Sequence, residues 1–306
     1  MKYILLICFY FSTLMAHAKE QQPFIHILGV VQDAGYPQMG CYLAHCLPGW
    51  EDKLKARSPV SLAVVNPKQK EKFLFEATPD LPRQLYLLDN QVAPIDYKLS
   101  GVFLTHAHIG HYAGLMFFGH EAMGAKQVPV FAMPKMYQFL KDNGPWQQLV
   151  RYQNIDLHKM TNQKVEQFGE VSVKPFVVPH RDEYSETVGY FIKGPNKSAV
   201  FIPDINKWQQ WSVDIRDVVA SVDYAFLDAA FFADGELPGR DMSKIPHPFV
   251  SETMALFDPL PAKERNKIWF IHMNHTNPLL NDDSKEYKQV IAAGYRVAKE
   301  GLSFPL

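Results

Sequence analysis

Val102-Phe103-Leu104-Thr105-His106-Ala107-His108-Ile109-Gly110-His111 is a short apolar run that ends in three imidazoles. His106 and His108 stand two apart, so in extended backbone both point to one side. His111 follows a turn and opens a helical pattern. Three neutral imidazoles converging at the end of a strand make a site for a first-row metal, most often zinc. The alternative is a set of ordinary core or surface histidines. A lone histidine would be read that way, whereas three at this spacing favour the metal.

Other apolar runs also end in residues able to bind metal. Val173 to Pro179 runs into His180, Ala199 to Pro203 into Asp204, and Lys267 to Ile271 into His272. Runs of this length read as buried strands, and strand ends are where sites collect in helix-covered sheets. Any one of these residues alone would be a strand-end polar group facing solvent. The repeated pattern points to a common site.

The order His cluster, His, Asp, His resembles the metallo-β-lactamase superfamily, whose motif is His-x-His-x-Asp-His followed by a distant His, a bridging Asp and a final His. Gly35-Tyr36-Pro37-Gln38, Cys41, Ala77-Thr78-Pro79-Asp80, Val178 to Tyr184 and Phe270 to Pro278 are similar to the branch containing pyrroloquinoline-quinone biosynthesis protein B. The cyclic phosphodiesterases of phosphonate breakdown are similar at greater distance. The resemblance covers nearly all of the chain beyond its first residues. It implies an αββα sandwich, with one metal on His106, His108 and His180 and a second on His111, Asp204 and His272. Gly110 departs from the pattern, standing where the superfamily has an Asp that binds the second metal. The second metal is therefore expected to be weaker, or to take a water in place of that carboxylate.

The chain has 306 residues, 47% hydrophobic and 21% charged, as an ordinary globular protein does. No repeat, low-complexity tract or long linker divides it. Residues 1–18 read as a secretory signal peptide: a short positive start at Lys2, an apolar stretch from Tyr3 to Met15, and the small-x-small site Ala16-His17-Ala18. Residues 19–306 then form one domain, and the protein is expected to be exported, to the periplasm or beyond. Lys2 is the only charged side chain removed, leaving 30 basic against 32 acidic residues. That balance and the lack of a basic run argue against nucleic acid as a partner. No later stretch is apolar enough to span a membrane.

Two cysteines remain, Cys41 and Cys46. In an exported protein they are expected to form a disulfide. The resemblance offers a structural zinc instead, because the phosphodiesterase relatives carry one on an N-terminal cysteine cluster and a histidine three residues after the last catalytic one. Here that histidine is His275, and with His45 the set Cys41, His45, Cys46, His275 would be the closed tetrahedron of a structural site.

Periodicity and turn residues predict strands over 24–30, 61–65, 73–76, 128–132, 171–179, 187–192, 199–202, 224–227 and 268–271. They predict helices over 81–88, capped by Asp80, and over 112–124, 134–143, 206–220, 249–257 and 284–300. Taken alone, this pattern says α/β. Aromatic pairs such as Phe117-Phe118 and Phe231-Phe232 read as core.

The resemblance implies a metal-dependent hydrolase using a metal-bound hydroxide on an ester, lactone, amide or phosphodiester bond. Asp204 would orient the water, bridge the metals and take a proton, with His111 and His272 holding the second metal or donating hydrogen bonds. The polar stretch Arg181 to Ser185 follows His180, and Arg181 is the residue best suited to an anionic group of a small-molecule substrate. Asp228 and His247 are further candidates for substrate contact. Zinc is expected, one or two ions in the active site, while iron or manganese would also suit these ligands. Iron would suit an oxidative enzyme related to quinone-cofactor biosynthesis. A non-catalytic metal- or ligand-binding protein is the reading from another class, supported by Gly110 alone. The number of subunits is open.

Overall fold

A computed structural model describes residues 22–181 and 183–306. The expected signal peptide and Asp182 lie outside the described residues.

Side chains alternate across a strand, so Phe73 and Phe75 share one face and Leu74 takes the other. The structure uses both faces. Phe75 packs against Phe103 and against Tyr190 of the opposite sheet, with ring centroids 4.9 and 5.3 Å apart. Leu74, Val102 and Leu104 point outward into a second core with Leu81, Leu88, Leu115, Phe118 and Leu140 of the covering helices. Apolar residues on both faces identify a sheet buried on both sides, as in layered α/β architecture.

The strands are β1 Phe24–Gly29, β2 Ser61–Asn66, β3 Glu71–Phe75, β4 Lys98–Phe103, β5 Val128–Ala132, β6 Ile155–Lys159 and β7 Glu166–Phe168. They continue as β8 Val171–Val177, β9 Val188–Lys193, β10 Ser198–Ile202, β11 Tyr224–Asp228, β12 Ile268–Ile271, β13 Arg296–Val297 and β14 Ser303–Pro305. One sheet runs β14-β1-β2-β3-β4-β5-β6 and the other β13-β12-β11-β10-β9-β8-β7. Both are mixed. Helices on the outer faces complete the αββα sandwich, Leu81–Gln91 and Pro134–Asp142 on the first sheet, Val250–Phe257 and Lys285–Ala292 in the core of the second.

Strand direction places the site. β3, β4, β5 and β6 are parallel, and β1 shares their direction because two antiparallel steps separate it from β3. In the second sheet β10, β11, β12 and β13 are parallel, and β8 runs the same way. The residues after the carboxyl ends of β1, β3, β4, β8, β10, β11 and β12 therefore meet at the ends of the strands, where open α/β sheets bind their ligands.

Several predicted elements are shorter than expected. The helix expected over 284–300 ends at Ala292, because Gly294 takes φ +90° and turns the chain into β13 and then β14. The helix expected over 112–124 is one turn, Ile109–Tyr112, followed by the 3-10 segment Ala113–Phe118. The stretch 206–220 holds a 3-10 turn and the helix Ile215–Ala220. Asp80 does not cap its helix. Its carboxylate accepts from Ser58 Oγ at 2.6 Å and so ties the helix start to the loop before β2.

Candidate metal centre

His106 and His108 lie in the extended segment after β4, and His111 in the turn of helix that follows. The backbone there is pinned on both sides: Tyr190 Oη donates to Leu104 O at 2.5 Å, and Ala107 N to Ser185 Oγ at 2.8 Å. Ala77 N donates to His111 O at 2.9 Å. His106, His108 and His180 offer nitrogens that lie within 4.8 Å of one another. Asp204 reaches them from the end of β10 in the second sheet, its Oδ1 3.5 Å from His180 Nε2 and its Oδ2 3.7 Å from His106 Nε2. The same Oδ2 lies 3.0 Å from His111 Nε2 and 3.2 Å from His272 Nε2. The expected residues of both metal positions thus converge on one carboxylate.

Hydrogen bonds set the ring orientations. Thr105 Oγ1 donates to Glu76 Oε1 at 2.5 Å, so it can only accept from His106 Nδ1, 2.8 Å away. The proton on Nδ1 leaves the Nε2 lone pair facing the centre, as an outer partner does for a metal-binding imidazole. Glu76 also stands 3.3 Å from His111 Nδ1. Both Glu76 and His272 hold left-handed backbone, φ +80° and +66°, a strain that clusters at functional sites.

The donor set fits a divalent first-row metal. His272 is fully buried, and neither of its ring nitrogens has a hydrogen-bond partner. Asp204 Oδ2 is equally buried and makes no hydrogen bond of ordinary geometry, its neighbours being the His111 and His272 nitrogens. A buried polar atom left in this way is costly unless something binds it. Glu76, Asp204 and Asp228 are buried carboxylates, and among the described residues every ion pair they make is with a histidine. Burial lowers His106 and His108, and takes His180 down to about 4, so all three are neutral imidazoles at pH 7, the form that a metal binds. Burial works the same way on His111, but Glu76, Asp204 and Asp33 outweigh it and raise that ring. Burial would raise Asp204, yet His272, His111 and His180 hold it well below the usual carboxylate range.

The candidates for substrate contact separate. Arg181 is exposed, 3.7 Å from Glu183, whose other oxygen is 3.4 Å from His108 Nε2. Asp228 has no exposed surface. It accepts from Ile205 N at 3.1 Å and Ala230 N at 2.9 Å, and grips His247 Nδ1 at 2.7 Å. Its hydrogen bonds reach the Asp204 loop and His247, so the role it shows here is to position those groups. His247 lies 3.6 Å from Asp204 Oδ1. Burial alone would lower its ring, but Asp228 and Asp204 raise it to about 9.

Cys41, His45, Cys46 and His275 also cluster, with His45 and His275 ring centroids 5.7 Å apart. The two sulfurs are joined as a disulfide. The disulfide is the first of the two expectations for this pair, while the four donors also lie close enough together for the second, a structural zinc on the reduced chain.

Asp33 and Glu76 also face the centre, outside the sequence motif. Asp33 Oδ1 lies 3.1 Å from His111 Nε2, and Asp33, His111 and His272 form a further group of converging donors. Both residues carry the signal that found the others, a polar residue just past an apolar run, here Phe24 to Val31 and Phe73 to Phe75.

Residues 71–273 match the beta-lactamase superfamily domain. The chain is similar to coenzyme PQQ synthesis protein B of Methylorubrum extorquens, 25% identical with 92% of this chain and 99% of that protein covered. Its counterpart in Methylorubrum populi is 27% identical over the same shares. The structure resembles Zn2+-bound PqqB from Methylobacterium extorquens, with a TM-score of 0.77, 23% identity, and 92% and 100% of the two chains covered. It also resembles a diphosphatase of the PhnP family, with a TM-score of 0.66, 20% identity, and 93% and 99% covered.

Proposed function

The chain belongs to the beta-lactamase superfamily, and on that premise we propose that it is an exported metal-dependent hydrolase of an ester, lactone, amide or phosphodiester bond. The observation that carries this reading is the convergence of His106, His108 and His180 on the buried carboxylate of Asp204. These three histidines would hold the metal, with Asp204, His111 and His272 around a second. When bound, the metal supplies Lewis acidity and lowers the pKa of a water toward neutrality.

The chain's own groups do the rest. Asp204 orients the attacking water and takes its proton, since both of its oxygens face the histidines. His247, steadied by Asp228, donates a proton to the leaving group from the other side of Asp204. Arg181, exposed beside Glu183, receives an anionic part of the substrate.

A second reading has one observation in its favour, the likeness to PQQ synthesis proteins over 92% of the chain. It is an iron-dependent oxidation of a quinone precursor, and oxygen uptake with iron-loaded protein separates it from hydrolysis.

Chromogenic esters and phosphodiesters, assayed with added Zn2+, Mn2+ or Fe2+, test the leading reading. We expect turnover with at least one pair, and a loss of roughly 10³-fold in His108→Ala, matching several kcal/mol of lost metal stabilisation. Full activity in that variant, with its fold intact, would sink the assignment. Export is tested by the mass of protein taken from outside the cytoplasm, which is expected to begin at Lys19.

A further inference from the structure

The motif position Gly110 is not merely a missing carboxylate. A Cβ built on it would lie 2.3 Å from Asp33 Cα, 2.6 Å from Asp33 Oδ1 and 2.8 Å from Asp33 Cβ. Real Cβ atoms never come so near, so the space a side chain at 110 would need is filled by Asp33. The two positions are complementary: glycine at 110 admits an aspartate that arrives from another strand.

Asp33 is also delivered with care. It follows β1, whose carboxyl end opens at the site. Val31 forms bridges with Pro59 and with Met273, the residue after His272. Gln32 N donates to Met273 O at 2.9 Å, and Met273 N to Val30 O at 3.0 Å. The loop bearing Asp33 is thereby stitched to the loop bearing His272. Asp33 itself takes φ +24°, outside the ordinary right-handed and extended regions. Its Oδ1 ends 3.1 Å from His111 Nε2, on the side where Asp204 Oδ2 stands 3.0 Å from the same nitrogen. Among the described residues, the only ion pair Asp33 makes is with His111.

We propose that Asp33 is the fourth protein ligand of the second metal position, replacing in space the carboxylate that the motif lacks at Gly110. The set becomes Asp33, His111, Asp204 and His272, two imidazoles and two carboxylates for a divalent first-row cation. Two carboxylate charges offset a divalent ion, so the position is not weakened by the loss at 110. Asp33 is the most solvent-exposed of the four, with 39% of its side chain accessible. This assignment rests on the metal-centre reading above.

The test is equilibrium dialysis of the full chain against buffered Zn2+, with metal counted by elemental analysis. Wild type, Asp33→Asn and His108→Ala are compared, and any ion held near Cys41 and Cys46 is common to all three. Asparagine keeps the size of Asp33 and an acceptor for His111, so an orienting role survives the change. Loss of an outer-shell bond costs 10–100-fold in metal affinity. We expect Asp33→Asn to bind its last ion more than 100-fold more weakly, giving one ion fewer per chain than wild type at a set zinc level. A smaller change, with wild type still exceeding His108→Ala, overturns the Asp33 assignment and leaves the metal centre standing. If wild type and His108→Ala bind alike, the metal centre itself fails, and Asp33 with it. Thermal unfolding of each variant in chelator checks that the fold is kept.

Discussion

Single residues at this centre act through neighbours that are far away in sequence. Glu76 supports His106 through Thr105 and faces His111 directly, so one carboxylate steadies rings from both metal positions. Asp228 does the same for the other sheet, gripping His247 and the backbone on either side of the site. Gly110 is the tightest of these dependencies. Even the smallest side chain there would collide with backbone, and overpacking of a filled site costs about 1–3 kcal/mol. Gly110→Ala is therefore expected to lower stability by that amount in chemical denaturation, because the Asp33 loop must shift. An unchanged midpoint would show that the loop yields freely. The three histidines of the motif were legible because they lie within one short stretch. Asp33 was not, because nothing local ties residue 33 to residue 110; only the pairing of Val31 with Met273 brings the first loop across to the site.

At the scale of elements, what can be read in the sequence follows burial. Strands buried on both faces, such as β3, β10 and β12, stand out as unbroken apolar runs. The edge strands do not. β6 shows alternating burial with His158 and Lys159 exposed, while β7, β13 and β14 are two or three residues long, too brief for any period to appear. Helix ends were overdrawn where apolar spacing runs on past a turn, as after Ala292. The central elements carry the stability. Phe103 is fully buried, with rings of Phe75 and Phe131 stacked at 4.9 and 4.6 Å. Phe103→Ala is expected to cost about 3–5 kcal/mol by urea unfolding, from lost burial and the cavity left behind. It also loosens the strand that presents His106, so metal affinity should fall with stability. A loss below about 1 kcal/mol would mean that the two sheets can close the gap.

At the scale of the whole molecule, two sheets aim the carboxyl ends of seven strands at one place, and each contributes part of the donor set. The first sheet brings Asp33, Glu76, His106, His108 and His111; the second brings His180, Asp204, Asp228 and His272. A metal shared between the sheets binds only the folded chain and must stabilise it. At a free concentration 100 times the dissociation constant the gain is about 2.7 kcal/mol. For a chain of this size that raises the unfolding midpoint by roughly 4–5 °C. Scanning calorimetry with Zn2+ and with chelator should show that shift in wild type and a much smaller one in His108→Ala. No helix among the described residues is long and apolar enough to cross a membrane.

The most direct test is anomalous diffraction at the zinc edge from crystals of the protein grown with Zn2+. A strong peak is expected about 2.0–2.1 Å from nitrogens of His106, His108 and His180, with a second beside His111, His272 and Asp204. Well-ordered histidines at these positions with no anomalous density among them would contradict a metal centre here.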